Sequence, residues 1–214
     1  FITAMVEKRD AKGSSWSAGT HLTDLTDASG VEAAANAIRA MNGVRVKDGK
    51  YRVVFGRQAV TDLMTNIIVP CLNLGTFYSA SSSFQGKLGQ RVASELLNIY
   101  DDGAAPGLMG SKGITCEGLP TGRTDLIRNG ALVGLLSNYY ETQRILADPQ
   151  AREKLGVDPK EHPSAFVPRN GFRFARGGGR HYDSPPGISG TNIIIEGTDG
   201  LTTEELLRTV GDGL

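Results

Sequence analysis

The sequence predicts an α+β fold, strand-rich with a few helices, in one domain spanning residues 1–214. Three observations carry this. Two stretches open on a Ser or Thr with Glu three residues later, the signature of a helix start. Several short apolar runs are separated by Asn-Gly or Asp-Gly pairs, which favour hairpins. The chain has 214 residues, 39% of them apolar, enough for a proper core.

The elements follow in chain order. Ile2 to Lys8 and Ser15 to Leu22 read as extended. Ser29-Gly-Val-Glu32 reads as a capping box opening an alanine-rich helix over 30–41, stopped by Asn42-Gly43. Val44–Val46, Asp48-Gly49 and Tyr51–Phe55 read as a hairpin. A helix over 57–68 places Val60, Met64 and Ile67 or Ile68 on one face. Residues 72–92 read as a long loop, including Ser79-Ala-Ser-Ser-Ser83 and FQGKLGQRVAS.

Leu96–Tyr100 reads as a strand, with a turn at Asp101-Asp102-Gly103 and a loop over 104–107. Thr124–Ile127 and Ala131–Leu136 make the strongest hairpin, because Asn129-Gly130 suits a type I′ turn. Tyr139–Leu146 reads as a helix. From Asp148 to Gly190 the composition turns to Pro, Gly, Arg and His, which predicts an extended excursion rather than core. Thr191–Glu196 reads as a strand, and the capping box Thr202-Thr-Glu-Glu205 opens a helix to Arg208 or Val210. Gly211-Asp-Gly-Leu214 resembles a helix end leading to a further strand.

Charge narrows the function classes. Lys plus Arg and Asp plus Glu are both 23, so the net charge is zero. That argues against nucleic acid and against a polybasic membrane contact, both driven by clustered positive charge. No apolar run approaches the about 20 residues of a membrane helix. Two cysteines, Cys71 and Cys116, form no disulfide framework, and no Asn-X-Ser/Thr acceptor occurs. A reducing, cytoplasmic compartment with two free thiols is expected. The chain opens on Phe1-Ile2-Thr3 without Met, as expected of part of a longer protein.

No familiar catalytic constellation emerges from the residues themselves. His21, His162 and His181 show no i, i+4 pairing, and Cys71, Cys116 and His181 converge only if folding brings them together. Gly-X-Ser-X-Gly is absent, and no spacing supports a Ser94, His181, Asp101 triad. Glu117 beside Cys116 disfavours a thiolate. Leu88 after Gly86-Lys87 breaks a phosphate loop, and Gly177-Gly-Gly-Arg180 reads as a flexible basic turn. Asp101 and Asp102 read as turn residues; in a strand, adjacent carboxylates point to opposite faces.

A resemblance adds what the residues do not. Phe84-X-Gly86-X-X-Gly89-Gln90-Arg91-Val92-Ala93-Ser94-Glu95-Leu96, Asp101-Asp102-Gly103, Glu117-Gly118-X-Pro-Thr121, Arg128-Asn129-Gly130 and Thr191-Asn192-Ile-Ile-Ile-X-Gly197 occur in this order. The chain thereby resembles the TldD/PmbA family of metallopeptidases, also called modulators of DNA gyrase. The likeness covers about residues 50–214, with both ends of a full-length member missing.

In that family one subunit type carries His-Glu-X-X-X-His upstream of Gly-X-X-Gly-Gln-Arg. Its two His, with a Cys near the C-terminus, bind zinc, and its Glu acts as general base. Counted back without gaps, that helix falls at about 65–70, here Thr65-Asn66-Ile67-Ile68-Val69-Pro70. Neither His nor the Glu is present, and Pro70 is expected to end the helix. An acidic residue usual before Glu117 is replaced by Cys116.

The resemblance therefore implies the metal-free, PmbA- or TldE-like subunit. It would pair with a zinc-bearing TldD-like subunit in a peptide-degrading or peptide-trimming complex. A homo- or heterodimer is expected, with no catalytic residue and no cofactor in this chain, zinc in the partner, and no nucleic acid or membrane. Gly86, Gly89, Gln90, Arg91 and Glu117 are the expected peptide-binding residues, the glycines permitting close backbone approach. The competing reading for this stretch is that it closes the fold. The competing functions are an active zinc peptidase with ligands outside the segment, and a non-proteolytic interaction protein.

Overall fold

The computed structural model describes residues 2–6, 11–41, 43–173 and 182–211. These divide into two compact units, one of residues 1–51 with 107–109, the other of 52–106 with 110–214.

In the first unit β1 (Ile2–Val6) pairs antiparallel with β2 (Ala11–Ser15), from Ile2 opposite Ser15 to Val6 opposite Ala11. The helix α1 (Ala28–Ala40) lies on this pair. A Cβ at Gly13 would stand 2.2 Å from the Ala37 nitrogen, and Ala33 and Ala37 are fully buried. Small residues on both sides allow this backbone contact.

Three expectations change here. The second strand lies over 11–15, not 15–22; its buried residues Ala11, Gly13 and Ser15 are too small to mark a strand by hydrophobicity. The helix begins before Ser29, which is buried inside it, so no capping box forms. Glu32 instead accepts a hydrogen bond from the Ser15 hydroxyl at 2.5 Å. The hairpin expected over 44–55 is irregular and largely exposed: Val44 and Phe55 bury against nothing that would secure a ladder.

In the second unit a helical run covers α2 (Arg57–Leu63), a π turn over Met64–Ile68 and α3 (Val69–Cys71). It passes through Pro70, where the sequence predicts a stop. Pro70 has no N–H to donate and its ring would crowd the preceding turn. The wider π turn supplies the needed room, with Val69 N–H donating to the Met64 carbonyl five residues back. A short α4 (Leu74–Tyr78) follows inside the expected 72–92 loop, capped by Asn73 Oδ1 accepting from Gly75 N–H at 2.8 Å.

The main sheet has the order β5-β4-β3-β8, all antiparallel. Its strands are β3 (Leu97–Asp102), β4 (Arg123–Arg128), β5 (Ala131–Leu132) and β8 (Ile193–Gly197). A two-stranded pair, β6 (Gly171–Phe172) and β7 (Gly187–Ile188), precedes β8. Asn129 and Gly130 both take positive φ, 48° and 75°, as the type I′ turn requires. The predicted second arm is only two residues long, since Val133 and Gly134 both donate to the Leu126 carbonyl.

The helix α5 (Tyr139–Ala147) is capped by Asn138 Oδ1, and α7 (Thr203–Val210) by the expected Thr202/Glu205 box. The stretch 148–190 does not run outside the core as expected. It contributes α6 (Ala151–Leu155) and a 3-10 turn over Pro163–Phe166, burying Leu155, Phe166 and Phe172. These join Leu72, Leu74, Phe77, Leu126, Leu132 and Ile145 in the core. Gly177–Arg180 and His181 lie outside the described residues.

Candidate functional site

A cleft of about 470 Å³ opens in the second unit between the helical run and the strands β7 and β8. The helical run forms one wall, with Thr61 from α2, Met64 and Thr65 from the π turn, and Val69 and Pro70 from α3. Ile193 and Ile195 of β8 stand on the other. They share the inner sheet face with their partners Asp101 and Ile99, both buried.

β8 ends the sheet, and its phase is fixed by two bonds. Asp102 N–H donates to the Asn192 carbonyl at 3.0 Å, and Thr198 N–H to the Leu96 carbonyl at 2.9 Å. In an antiparallel ladder the backbone groups of alternate residues point to opposite sides. Residues 194 and 196 therefore face β3. Ile193, Ile195 and Gly197 turn their N–H and C=O groups to the edge that no strand among the described residues pairs.

Behind the cleft lies Asp101, 1% exposed. Its Oδ1 accepts from Thr191 N–H at 2.6 Å, and its Oδ2 from Asn170 Nδ2 at 2.6 Å. The Thr191 hydroxyl lies 3.0 Å from both oxygens. Burial pushes the Asp101 carboxyl above its ordinary range, and these donors only partly offset the shift. Asn170, also fully buried, donates from Nδ2 to the Ser189 carbonyl at 3.1 Å. Its Oδ1 meets no partner among the described residues. Asp101 thus ties β3 to the segment 189–191, which forms part of the cleft wall. The reading of Asp101 as a turn residue misses this; its burial depends on strands remote in sequence.

The expected site residues are dispersed. Gly86 and Gly89 take φ of 73° and 83°. Gly86 N–H donates to the Lys154 carbonyl, Leu88 N–H to Leu155 and Gly89 N–H to Leu132, at 2.7–2.9 Å. Leu132 N–H donates in return to the Gln90 carbonyl. This stretch therefore joins α6 to the β5 edge. Gln90 and Arg91 are exposed; the Gln90 amide reaches the Gly86 carbonyl at 3.2 Å, and Arg91 lies 3.6 Å from Glu95. Glu117 stands elsewhere, its Oε2 accepting from Tyr139 N–H at 2.9 Å. None of the five lines the 470 Å³ cleft.

A family model described as the PmbA/TldA metallopeptidase C-terminal domain matches residues 48–214. The chain belongs to the TldD/PmbA family. Among curated TldD/PmbA relatives, the metalloprotease TldD homolog of Haemophilus influenzae is 32% identical over 107 residues, 50% of this chain and 22% of that protein. A metalloprotease of Methanothermobacter thermautotrophicus is 26% identical over 125 residues, 58% of this chain and 27% of that one. A Thermotoga maritima structure named for modulation of a DNA gyrase superposes with a TM-score of 0.75. It is 23% identical and covers 99% of this chain and 42% of its own. TldE from Thermococcus kodakarensis gives 0.51 at 20% identity, covering 71% of this chain and 28% of its own. The chain spans less than half the length of these relatives, and the structural likenesses establish the α+β fold.

The family's zinc can be tested against the donors present. Along the cleft these are the hydroxyls of Thr61, Thr65, Ser189 and Thr191, the Asn73 amide and the Met64 thioether. Zinc takes imidazole, thiolate and carboxylate ligands, so these residues do not fit it. Among the described residues no three His, Cys, Asp or Glu side chains converge as a metal site, and Cys71 and Cys116 are free and half-buried. No described helix is long and apolar enough to cross a membrane.

Proposed function

We propose that this chain is part of a metal-free, PmbA- or TldE-like subunit that holds peptide for a zinc-bearing TldD-like partner. The assembly would be a cytoplasmic dimer that degrades or trims peptides, with its zinc in the partner. The observation that carries this reading is the pairing of two features in one cleft. The wall at 65–70 bears Thr65, Val69 and Pro70 in place of zinc ligands, and the facing β8 offers outward backbone groups at Ile193 and Ile195. An extended peptide can add to such an edge through main-chain bonds, with little demand on its sequence. The exposed Gln90 and Arg91 stand by the β5 edge, at the opposite end of the sheet from β8, and would contact only a part of the peptide that runs past that edge, while Gly86, Gly89 and Glu117 would hold their segments in place.

The test is elemental analysis of the isolated full chain, with peptide cleavage assayed alone and after mixing with a TldD-like subunit. Near-zero zinc and cleavage only in the mixture are expected. About one chelator-sensitive zinc per chain with cleavage by the chain alone overturns the proposal. Ile195→Pro removes one outward N–H and leaves the β3 ladder bonds in place. It should weaken peptide binding by about tenfold, the worth of a lost hydrogen bond and its packing. Arg91→Ala should weaken peptide binding without changing stability. Full peptide binding by Ile195→Pro excludes the edge as the docking element.

A further inference from the structure

A second cavity, of about 490 Å³ and open to solvent on one side, lies between β4 and the segment 162–169. Three guanidiniums line it, Arg123, Arg128 and Arg169, against a single lining carboxylate, Asp125. Asp125 Oδ1 accepts from Arg123 Nε at 2.8 Å, and its Oδ2 accepts from Arg128. Burial works against charge on Asp125, but the two arginines outweigh it and hold the carboxyl below its ordinary range. Arg169 donates to the Arg123 carbonyl, and the Arg123 guanidinium lies 3.6 Å from the Tyr100 ring centroid.

The forks are therefore positioned but not saturated. Each guanidinium carries five N–H donors, and the bonds just named use one apiece. Positive charge exceeds negative within the cavity, and Asp125 already shows that the forks accept a carboxylate. The remaining lining is mixed: Leu88, Leu132, Val133, Ala165 and Val167 stand beside Gly89, Ser164 and His162. Thr124, also lining it, has a buried hydroxyl without a hydrogen-bond partner among the described residues.

We propose that this cavity binds the carboxylate end of a small ligand with an apolar body. That chemistry is shared by a free N-acyl amino acid and by the C-terminal residue of a peptide. Planar guanidinium forks match a carboxylate, and the half-buried Val133 and Val167 beside them offer a hydrocarbon body contacts that inorganic phosphate lacks. The site is separate from the cleft lined by Thr65 and Ile195 and does not depend on the function proposed for that cleft.

Calorimetric titration of the full chain with four probes tests this: N-acetyl-leucine, N-acetyl-leucinamide, N-acetyl-Ala-Ala-Leu and inorganic phosphate. The acids should bind, and the amide should bind at least about tenfold more weakly through loss of charge-assisted bonds. Tighter binding of the tripeptide acid assigns the site to peptide C-termini; equal binding assigns it to free acyl amino acids. Arg128→Gln and Arg169→Gln should each weaken binding by about tenfold, while Arg152→Gln, outside the cavity, should not. Arg128 is largely exposed, so its variant keeps the test valid if Arg169→Gln fails to fold. Equal affinity for acid and amide, binding of phosphate alone, no binding of either acid, or unchanged affinity in Arg128→Gln overturns the proposal.

Discussion

The Glu117 carboxylate accepts the backbone N–H of Tyr139 at 2.9 Å, across 22 residues of chain. Tyr139 is the first residue of α5, whose leading amides lack partners within the helix. An anion there also complements the helix dipole. Gly171 makes room for it, since a Cβ at that position would lie 2.0 Å from Glu117 Oε2. Glu117→Ala should cost about 1 kcal/mol and lower Tm by roughly 3 °C. Glu117→Gln keeps an acceptor and should cost only a few tenths. Thermal melts of the two variants check this, and equal losses would show that the acceptor at α5 is not what matters.

Asp101 makes stability depend on pH in an unusual direction. Burial raises its pKa in the folded state above the ordinary 3.8, despite the donors Thr191 and Asn170. The folded chain then holds this proton more tightly than the unfolded chain. Its contribution is fully present below 3.8 and is lost as pH rises through the folded value. Asp101→Asn should flatten that part of the stability profile in denaturant melts. It should also cost about 2 kcal/mol near neutral pH, because a new N–H₂ group meets donors where an acceptor stood. An unchanged profile would mean that Asp101 is ionised equally in both states.

The glycines separate steric clash from backbone strain. At Gly156, φ is 88° and a Cβ would stand 2.2 Å from the Gly86 carbonyl oxygen. Gly156→Ala should therefore cost about 3 kcal/mol or more. At Gly86, φ is 73° but the nearest atom to a Cβ is 3.9 Å away. Gly86→Ala should cost only the left-handed strain, about 1 kcal/mol. Ala80 carries the opposite case, a side chain at φ 53° just past α4. Ala80→Gly should stabilise by about 0.5 kcal/mol. Urea unfolding orders the three, and a larger loss at Gly86 than at Gly156 would refute the steric account.

What was legible in the sequence was local. The Thr202/Glu205 box, the Asn129-Gly130 turn, the helix from Tyr139 and the strand before Gly197 all follow from contacts within a few residues. The Ser29 box fails because packing against β2 draws the helix start back to Ala28 and buries Ser29 within it, leaving Glu32 to accept from Ser15 on another element. The stretch 148–190 hides its core contribution because Leu155, Ala165-Phe166-Val167 and Phe172 are short, unevenly spaced apolar pieces among Pro, Arg and Gly, with no period to mark a face. α4 buries Leu74 and Phe77 in five residues, too few to show a period. The β8 edge lay within the recognised Thr191–Gly197 motif. Asp101 beneath it was not readable as buried, because its partners Asn170 and Thr191 reach it only through the fold.

Tyr78 offers a probe of the packing around α4, α5 and α6. Its hydroxyl lies 2.9 Å from Asp148 Oδ2 and 3.1 Å from the Arg144 carbonyl. The Arg144 guanidinium and the Lys154 ammonium lie 3.7 and 4.4 Å from its ring centroid. Burial, then the bond to Asp148, pushes the phenol from 10.0 up to about 12. The unfolded chain releases this proton first, so the contribution to stability is full below pH 10.0 and is lost as pH rises towards about 12. Ultraviolet titration of the folded protein should show a late phenol that disappears in Tyr78→Phe. The same variant should cost about 1 kcal/mol near neutral pH, the net worth of a hydrogen bond, and its stability should fall less steeply in the alkaline range. If wild type and variant titrate with the same late phenols, the hydroxyl of Tyr78 is solvated and the link it makes between α4 and α5 is not closed in solution.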